Sequence, residues 1–131
     1  LKHCEIKINT RQTTSYQRRE ANLMMSITPG RAGILLMKGL VRFAILSLLE
    51  KREMTGYSIL KNLRSLTGLN LHAGSVYPLL YSLEKSGLLT SFSIEKGRRR
   101  LRYYKLSEAG RELLGKTKHI AQKIFEGEHV A

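Results

Sequence analysis

The chain has 131 residues, of which 42% are hydrophobic, and a chain of this size can bury the core of one domain without disulfides. Its 23 Lys and Arg outnumber 10 Asp and Glu and leave a formal net charge of +13, which favours polyanionic partners: DNA, RNA or an acidic membrane surface. The single cysteine excludes an internal disulfide, and the longest charge-free apolar run, residues 43–49, is far shorter than the roughly 18 residues of a membrane span. We therefore expect a cytoplasmic protein with one basic domain and no membrane segment.

The N-terminal segment differs in composition from the rest of the chain. Residues 1–33 lack a sustained hydrophobic period and are rich in Thr, Ser, Asn, Gln and Arg. Pro29, Gly30 and Gly33 near its end also disfavour regular structure. This composition predicts a mobile, basic arm over residues 1–33. The patterns that follow predict a folded domain over 34–106 and a C-terminal helix over 107–131.

The first periodic segment predicts an amphipathic helix that becomes regular at Met37. A second apolar stripe, formed by Leu36, Phe43 and Leu46, lies off the side that would face the core. Because one side of a helix is enough to pack a core, the second stripe requires a partner surface, and we assign it to a homodimer interface. The positions of the core stripe are Met37, Leu40, Val41, Ala44, Ile45, Leu48 and Leu49.

Two further helices follow in close succession. Thr55 is a good N-cap and Gly68 a good C-cap for a helix of about twelve residues. The next apolar repeat, Val76, Leu79, Leu80 and Leu83, predicts a helix over 75–86 that stops at Gly87.

Pro78 lies inside this third helical pattern and permits two solutions. The helix could start with Ser75 as its N-cap, which places the proline in the first turn, or it could start near Ala73 and bend at Pro78. We expect the start at Ser75, because a proline in the first turn sacrifices no helical hydrogen bond.

A β-hairpin is predicted after the third helix. Residues 88–95 alternate between apolar and polar side chains, residues 101–106 are also β-prone, and Gly97 lies at the joint between them. Six basic residues and no acidic residue lie between Lys96 and Lys105. The densest charge of the chain therefore falls on the hairpin tip and its return strand.

The last pattern predicts a helix capped by Ser107 that dimerises. Its apolar positions step by three and four residues, which is typical of a coiled-coil seam. The seam is formed by Gly110, Leu113, Thr117, Ile120 and Ile124. We assign the last four of these residues to the dimer interface, together with Leu36, Phe43 and Leu46.

Three helices followed by a basic hairpin are the order of a winged helix-turn-helix, so we predict a mainly α fold with a two-stranded wing and a C-terminal dimerisation helix. In this motif the second helix of the helix-turn-helix enters the major groove, and the wing contacts the neighbouring backbone. The outer face of the third predicted helix carries no Arg, Asn or Gln for a bidentate base contact, so DNA shape is expected to share the readout. For Tyr77 and Tyr81 an extension of the core is an open alternative. The predicted DNA contacts are Tyr77, Pro78, Tyr81, Ser82 and Lys85 on the helix, and Lys96, Arg98, Arg99, Arg100 and Arg102 on the wing.

Linked motifs between residues 36 and 114 resemble the PadR family of transcriptional regulators. They are Lys38-Gly39-Leu40, Gly56-Tyr57, Gly74-Ser75-Val76-Tyr77-Pro78-Leu79-Leu80, Leu83-Glu84, Gly87-Leu88-Leu89, Gly97-Arg98-Arg99-Arg100, Tyr103-Tyr104 and Leu106-Ser107-Glu108-Ala109-Gly110. The resemblance implies a homodimeric DNA-binding repressor in which Ser75, Tyr77 and the wing arginines contact DNA. We also count Tyr57 among the predicted DNA contacts, and two copies of the third helix predict a pseudo-palindromic operator. The chain departs from the pattern in its long polar arm and in its single C-terminal helix, which looks like the family's small subgroup. A small aromatic effector, common among relatives, is a weaker expectation for a chain with so short a C-terminal region.

The sequence offers no pattern typical of an enzyme. It contains neither a G-x-x-x-x-G-K-[ST] nor a G-x-G-x-x-G loop for nucleotides, and its histidines are scattered instead of clustered as metal ligands. We expect no catalytic activity, cofactor or metal. Two other function classes stay open: an architectural protein that coats nucleic acid through charge alone, and a winged helix that binds an acidic protein partner.

Overall fold

A computed structural model of the chain describes residues 30–127. They form a mainly α fold with a small antiparallel sheet, so the predicted winged helix-turn-helix is confirmed. Most of the predicted arm, residues 1–29, and the end of the predicted C-terminal helix, residues 128–131, lie outside the described residues. The elements of the described part are α1 (Gly30–Lys51), β1 (Met54–Thr55), α2 (Gly56–Thr67), α3 (Ala73–Lys85), β2 (Leu89–Lys96), β3 (Arg99–Leu106) and α4 (Glu108–Glu126).

Helix α1 begins earlier than its hydrophobic pattern predicts. The pattern places the end of the arm at residue 33, whereas residues 30–33 are already helical. The segment 31–38 consists mostly of Arg, Ala, Leu, Met and Lys, which are strong helix formers. Helix propensity without an apolar period is invisible to a search for amphipathicity, and this explains the late boundary.

By length and composition α1 could cross a membrane. The length of the longest charge-free apolar run had predicted no such segment. The core helix of a soluble protein meets the same criterion. The C-terminal half of α1 packs into the core through Val41, Ala44, Ile45 and Leu49. This half therefore has a packing role inside the domain.

The buried side of α1 is centred on Ile45, and this changes two assignments. Leu46, assigned to the dimer interface, lies in the core at 6% exposure, whereas Leu40, assigned to the core, is 51% exposed. At about 100° per residue, Leu46 lies about 100° from Ile45 and Leu40 about 140° from it on the other side. The core-facing side of the helix therefore includes position 46 and excludes position 40. The assignment of Leu46 to a partner surface is wrong.

The core lies between α1, α2, α3 and the base of the sheet, and Leu114 adds a contact from α4. Burying one aliphatic side chain of this kind contributes about 1.5–3 kcal/mol. The side chains with less than 2% exposure are Ile45, Ile59, Leu60, Leu63, Val76, Leu80, Leu89 and Leu114.

Helix α2 has the caps and the length that the sequence predicts. The Thr55 hydroxyl accepts a hydrogen bond from the Ser58 amide at 3.1 Å, and Gly68 ends the helix in the left-handed region with φ 74°. After this cap, Arg64 Nε donates to the Leu71 carbonyl oxygen at 2.6 Å. This bond holds the turn between α2 and α3, which sets the relative position of the two helices.

Helix α3 begins at Ala73, so the expected start at Ser75 is wrong and Pro78 is the sixth residue of the helix. The amides of Ser75 and Val76 both donate to the His72 carbonyl oxygen, at 2.9 and 3.1 Å. Pro78 has no amide hydrogen for the preceding turn. The earlier start adds two backbone hydrogen bonds, and these outweigh the one that the proline cannot make. The predicted stop at Gly87, which has φ 85°, is confirmed.

The predicted hairpin is formed by β2 and β3. Their register runs from Leu89 opposite Leu106 to Lys96 opposite Arg99. The turn residues are Gly97, with φ 61°, and Arg98; a positive φ at the first turn residue alone is typical of a type II′ hairpin turn. Strand β1 adds a third strand that the sequence did not predict, because two residues cannot show an alternating pattern.

Helix α4 is attached to the domain at its N-terminal end. The Ser107 hydroxyl accepts from the Gly110 amide at 3.0 Å, which confirms the predicted cap. Gly110 packs on the Leu88 carbonyl so closely that no side chain fits there. This glycine therefore belongs to the contact with the sheet and not to the predicted seam. Further along, Lys118 Nζ lies 2.7 Å from Glu50 Oε1 of α1 and lowers the pKa of that carboxyl.

Candidate nucleic-acid interface

The outer face of α3 is accessible, as the helical pattern predicts. Val76, Leu80 and Leu83 face the core, whereas Tyr81 on the opposite side is 66% exposed. Lys85 Nζ lies 5.8 Å from the centroid of the Tyr81 ring, one turn further along the helix. Ser75, Tyr77 and Pro78 are also exposed, and Ser82 is half-buried.

Tyr77 differs from Tyr81 because its ring packs against the start of α2. A Cβ atom built on Gly56 would lie 3.1 Å from Tyr77 Cε1, so the absence of a side chain at Gly56 makes room for the ring. Burial, together with Tyr104 and Tyr57 nearby, raises the pKa of Tyr77 above its ordinary value of 10. Its hydroxyl therefore keeps its proton at neutral pH and can donate a hydrogen bond to a phosphate.

Tyr57 joins this group from the first turn of α2. Its side chain is exposed, and Lys61 Nζ lies 5.7 Å from its ring centroid. Tyr57 of α2, Tyr77 of α3 and Tyr104 of β3 are therefore neighbours. Two of the helical tyrosines also have a cation of their own: Lys61 lies over Tyr57, and Lys85 lies over Tyr81. The sequence predicted Tyr57 and Tyr77 as DNA contacts but not their proximity to Tyr104 or the cation at Lys61.

The wing tip carries four exposed cations around a two-residue turn. None of them makes an ion pair within residues 30–127. Unpaired cations on a projecting hairpin are available to phosphate groups. These residues are Lys96, Arg98, Arg99 and Arg100.

Arg102 is placed differently from the other wing arginines. Its guanidinium lies 3.2 Å from Glu84 at the end of α3, and it also lies over the Tyr104 ring at 5.8 Å. The sequence grouped Arg102 with the other basic residues of the wing as a predicted DNA contact. Arg102 differs from them because it lies nearer the base of the hairpin, where its guanidinium reaches an acidic partner on α3.

The predicted dimer residues are exposed in part. Leu36 on α1 and Ile120 and Ile124 on α4 are between 57% and 68% exposed, and Leu113 is 43% exposed. Thr117 is half-buried, and Phe43 packs against the core. Other exposed apolar side chains on α1 and α4 are Ile34, Leu35, Leu40 and Phe125.

Within residues 30–127, no three His, Cys, Asp or Glu side chains lie close enough together to hold a metal ion. The groups brought together at the surface of this part of the chain are phenols, hydroxyls and cations. They can bind a polyanion through hydrogen bonds and charge.

Comparisons with known proteins agree with the predicted family. The profile of the PadR-like transcriptional regulator family matches residues 45–116. The structure is similar to a PadR-like transcription factor from Bacteroides fragilis, with 28% identity over 74% of this chain and 95% of that chain and a TM-score of 0.66. A PadR family regulator from Clostridium difficile has 28% identity over 66% of this chain and 91% of that chain, with a TM-score of 0.62.

Bacillus subtilis PadR, solved in complex with operator DNA, has 29% identity over 58% of this chain and 45% of that chain, with a TM-score of 0.52. No curated protein sequence matches the chain. The family profile covers more than half of the chain, and the similar structures share its winged helix. The chain therefore belongs to the PadR-like family of transcriptional regulators.

Proposed function

We propose that this regulator is a homodimer that prefers one DNA sequence and represses transcription by occupying a promoter. In this proposal α3 lies in the major groove, which admits one α-helix, and the wing lies on the flanking backbone. The observation that carries it is the exposed Tyr and Lys face of α3, together with a wing tip whose four cations have no ion-pair partner within residues 30–127. The similarity to a PadR protein solved in complex with operator DNA supports binding to DNA.

The predicted contacts divide into two roles. The tip cations Lys96, Arg98, Arg99 and Arg100 would neutralise phosphates, which gives affinity with little direct sequence information. Tyr81 and Lys85, and the polar groups of Tyr57, Ser75, Tyr77 and Ser82, would reach the sugar, phosphate and base edges of the groove. Because this set has no bidentate base reader, we expect DNA deformability to contribute to the sequence preference.

Dimerisation is supported by apolar surface that residues 30–127 leave uncovered. Ile120 and Ile124 are exposed on α4 at the spacing of a coiled-coil seam, and Leu36 is exposed on α1. A symmetric dimer would place two α3 helices on half-sites about 10 bp apart, so the operator should be pseudo-palindromic. Phe43, which packs against the core and is half-buried, would contribute less of its surface.

The remaining expectations follow from this function. A regulator that occupies promoters acts where the DNA is, so we place it in the cytoplasm, and it needs neither catalysis nor a cofactor. A small aromatic effector is no part of the proposal. Within the described residues there is one winged helix-turn-helix with one further helix, and no second domain.

The specificity ratio tests this function. Selection from random duplexes should yield an operator that the full chain binds about 10³ times or more tightly than a scrambled duplex. Equal affinity for both would identify an architectural protein that binds through charge alone. Absence of any salt-dependent DNA binding would identify a protein-interaction module instead.

A further inference from the structure

Three side chains form a closed hydrogen-bonded network between α3 and the wing. The Ser91 hydroxyl on β2 donates to Glu84 Oε2 at 2.6 Å. Arg102 on β3 donates from Nε to the Ser91 hydroxyl and from Nη2 to Glu84 Oε1, both at 3.2 Å. Each of the three side chains contacts the other two. We call this network the Glu84 clamp.

The position of the Glu84 carboxylate is unfavourable on two grounds. It lies in the last turn of α3, where the helix end carries partial negative charge. It also lies on the helix that the proposed function places against the phosphates of DNA, which repel a carboxylate. Arg102 compensates the charge, and Ser91 satisfies the second carboxylate oxygen. An acidic residue at an electrostatically unfavourable position, with both carboxylate oxygens bound by other side chains, indicates a specific role.

The clamp lies where the wing leaves the core. Leu89 and Leu106 at the base of the hairpin are buried, whereas residues 92–100 are exposed. The direction of this projecting part depends on contacts near its base. The clamp ties both strands to the end of α3 at that place, so it couples the orientation of the wing to the orientation of the helix.

We propose that Glu84 is a positioning residue for DNA binding, which holds the wing at a fixed angle to α3 so that helix and wing contact one duplex together. This inference rests on the proposed function. It also assigns Arg102 to the protein's internal geometry, with its charge neutralised by Glu84 and not by a phosphate.

The direction in which Glu84→Ala changes the affinity for DNA distinguishes a positioning role from simple electrostatics. Glu84→Ala removes a negative charge from the DNA-binding surface, so charge alone would strengthen binding to every duplex. Loss of the clamp would instead weaken binding to the operator, because helix and wing must then be ordered on the DNA at an entropic cost. Alanine is the best helix former, and the broken ion pair is partly exposed. The melting temperature should therefore change by only a few degrees.

The matched control is Glu95→Ala. Glu95 is an exposed acidic residue on β2 of the same wing, and it makes no ion pair within the described residues. This variant loses the same charge without touching the clamp. Arg102→Gln breaks the clamp from the other side, and the double variant Glu84→Ala/Arg102→Gln measures the coupling of the two residues.

Titrations of the full chain and these variants on selected operator and on scrambled duplex, over a salt series, test the proposal. We expect Glu84→Ala and Arg102→Gln each to lose about tenfold on the operator, the double variant to lose no more than either, and Glu95→Ala to lose nothing. Arg102→Gln should keep the wild-type salt slope, since its charge meets no phosphate. The inference is overturned if Glu84→Ala binds the operator as tightly as Glu95→Ala does. If the unmodified chain shows no operator preference, the proposed function itself fails, and the inference fails with it.

Discussion

At the scale of single residues, the candidate nucleic-acid interface contains side chains whose spatial neighbours could not be predicted from the sequence. Tyr77 and Tyr81 are one helical turn apart and have the same chemistry, yet Tyr77 packs on Gly56 while Tyr81 projects from the helix. Helical spacing predicted that both would lie off the core stripe. It could not predict that α2 brings a glycine under one ring and leaves the other ring free.

Both tyrosines should lose operator affinity when the hydroxyl is removed. Tyr81→Phe removes an exposed hydroxyl, so we expect unchanged folding stability and a loss of operator affinity of about 0.5–1.5 kcal/mol, the value of one hydrogen bond. Tyr77→Phe keeps the ring on Gly56 and should lose affinity by the same mechanism. Thermal unfolding and DNA titration of both variants measure these effects. A fall in stability with unchanged DNA affinity would show that the tyrosine concerned serves the core.

At the scale of elements, the residues at which a helix begins or ends were harder to predict than the presence of the helix itself. The caps at Thr55 and Ser107 were predictable because each is a local hydrogen bond between a side chain and a nearby amide. The start of α3 at Ala73 was not, because it depends on how the turn after α2 presents the His72 carbonyl. Strand β1 was missed for a related reason, since its pairing with β3 is a long-range contact.

The tip of the wing should contact DNA phosphates through its charge. Changing Arg98, Arg99 and Arg100 to Ala should weaken operator and scrambled DNA alike. Because this change removes three phosphate-binding side chains from each of two subunits, the slope of log K against log[salt] should fall by about 5 at most. A control with Lys51, Arg52 and Lys116 changed to Ala removes the same charge from surfaces outside the wing and α3. If the slope of the wing variant equals that of the unmodified chain, the tip does not contact phosphates.

At the scale of the whole molecule, the winged helix was predictable from the order of elements, whereas the surfaces that face a partner were only partly so. The seam on α4 is exposed at Leu113, Ile120 and Ile124, but Leu46 of the second stripe on α1 is buried. The helical pattern of α1 shows two apolar sides, but it does not show which side packs into the core. The side that is buried depends on how the other elements pack against Ile45, and this can be known only from the folded structure.

The dimer should depend on the exposed end of α4. Ile120→Lys/Ile124→Lys places two charges on the seam, so we expect the chain to sediment as a folded monomer at micromolar concentration and to bind the operator more weakly. Gln122→Lys is the control, because its position lies on the opposite side of the helix, about 200° from Ile120. A stable dimer in the double Lys variant would show that α4 is not the main interface.

The central claim is that two copies of α3 and two wings bind one symmetric stretch of DNA. Hydroxyl-radical footprinting of the full chain on its selected operator tests this most directly. We predict two protected segments about 10 bp apart, related by the symmetry of the site, with flanking protection that disappears when the three tip arginines are changed to Ala. A single half-site, or protection spread evenly along the fragment, would contradict the account.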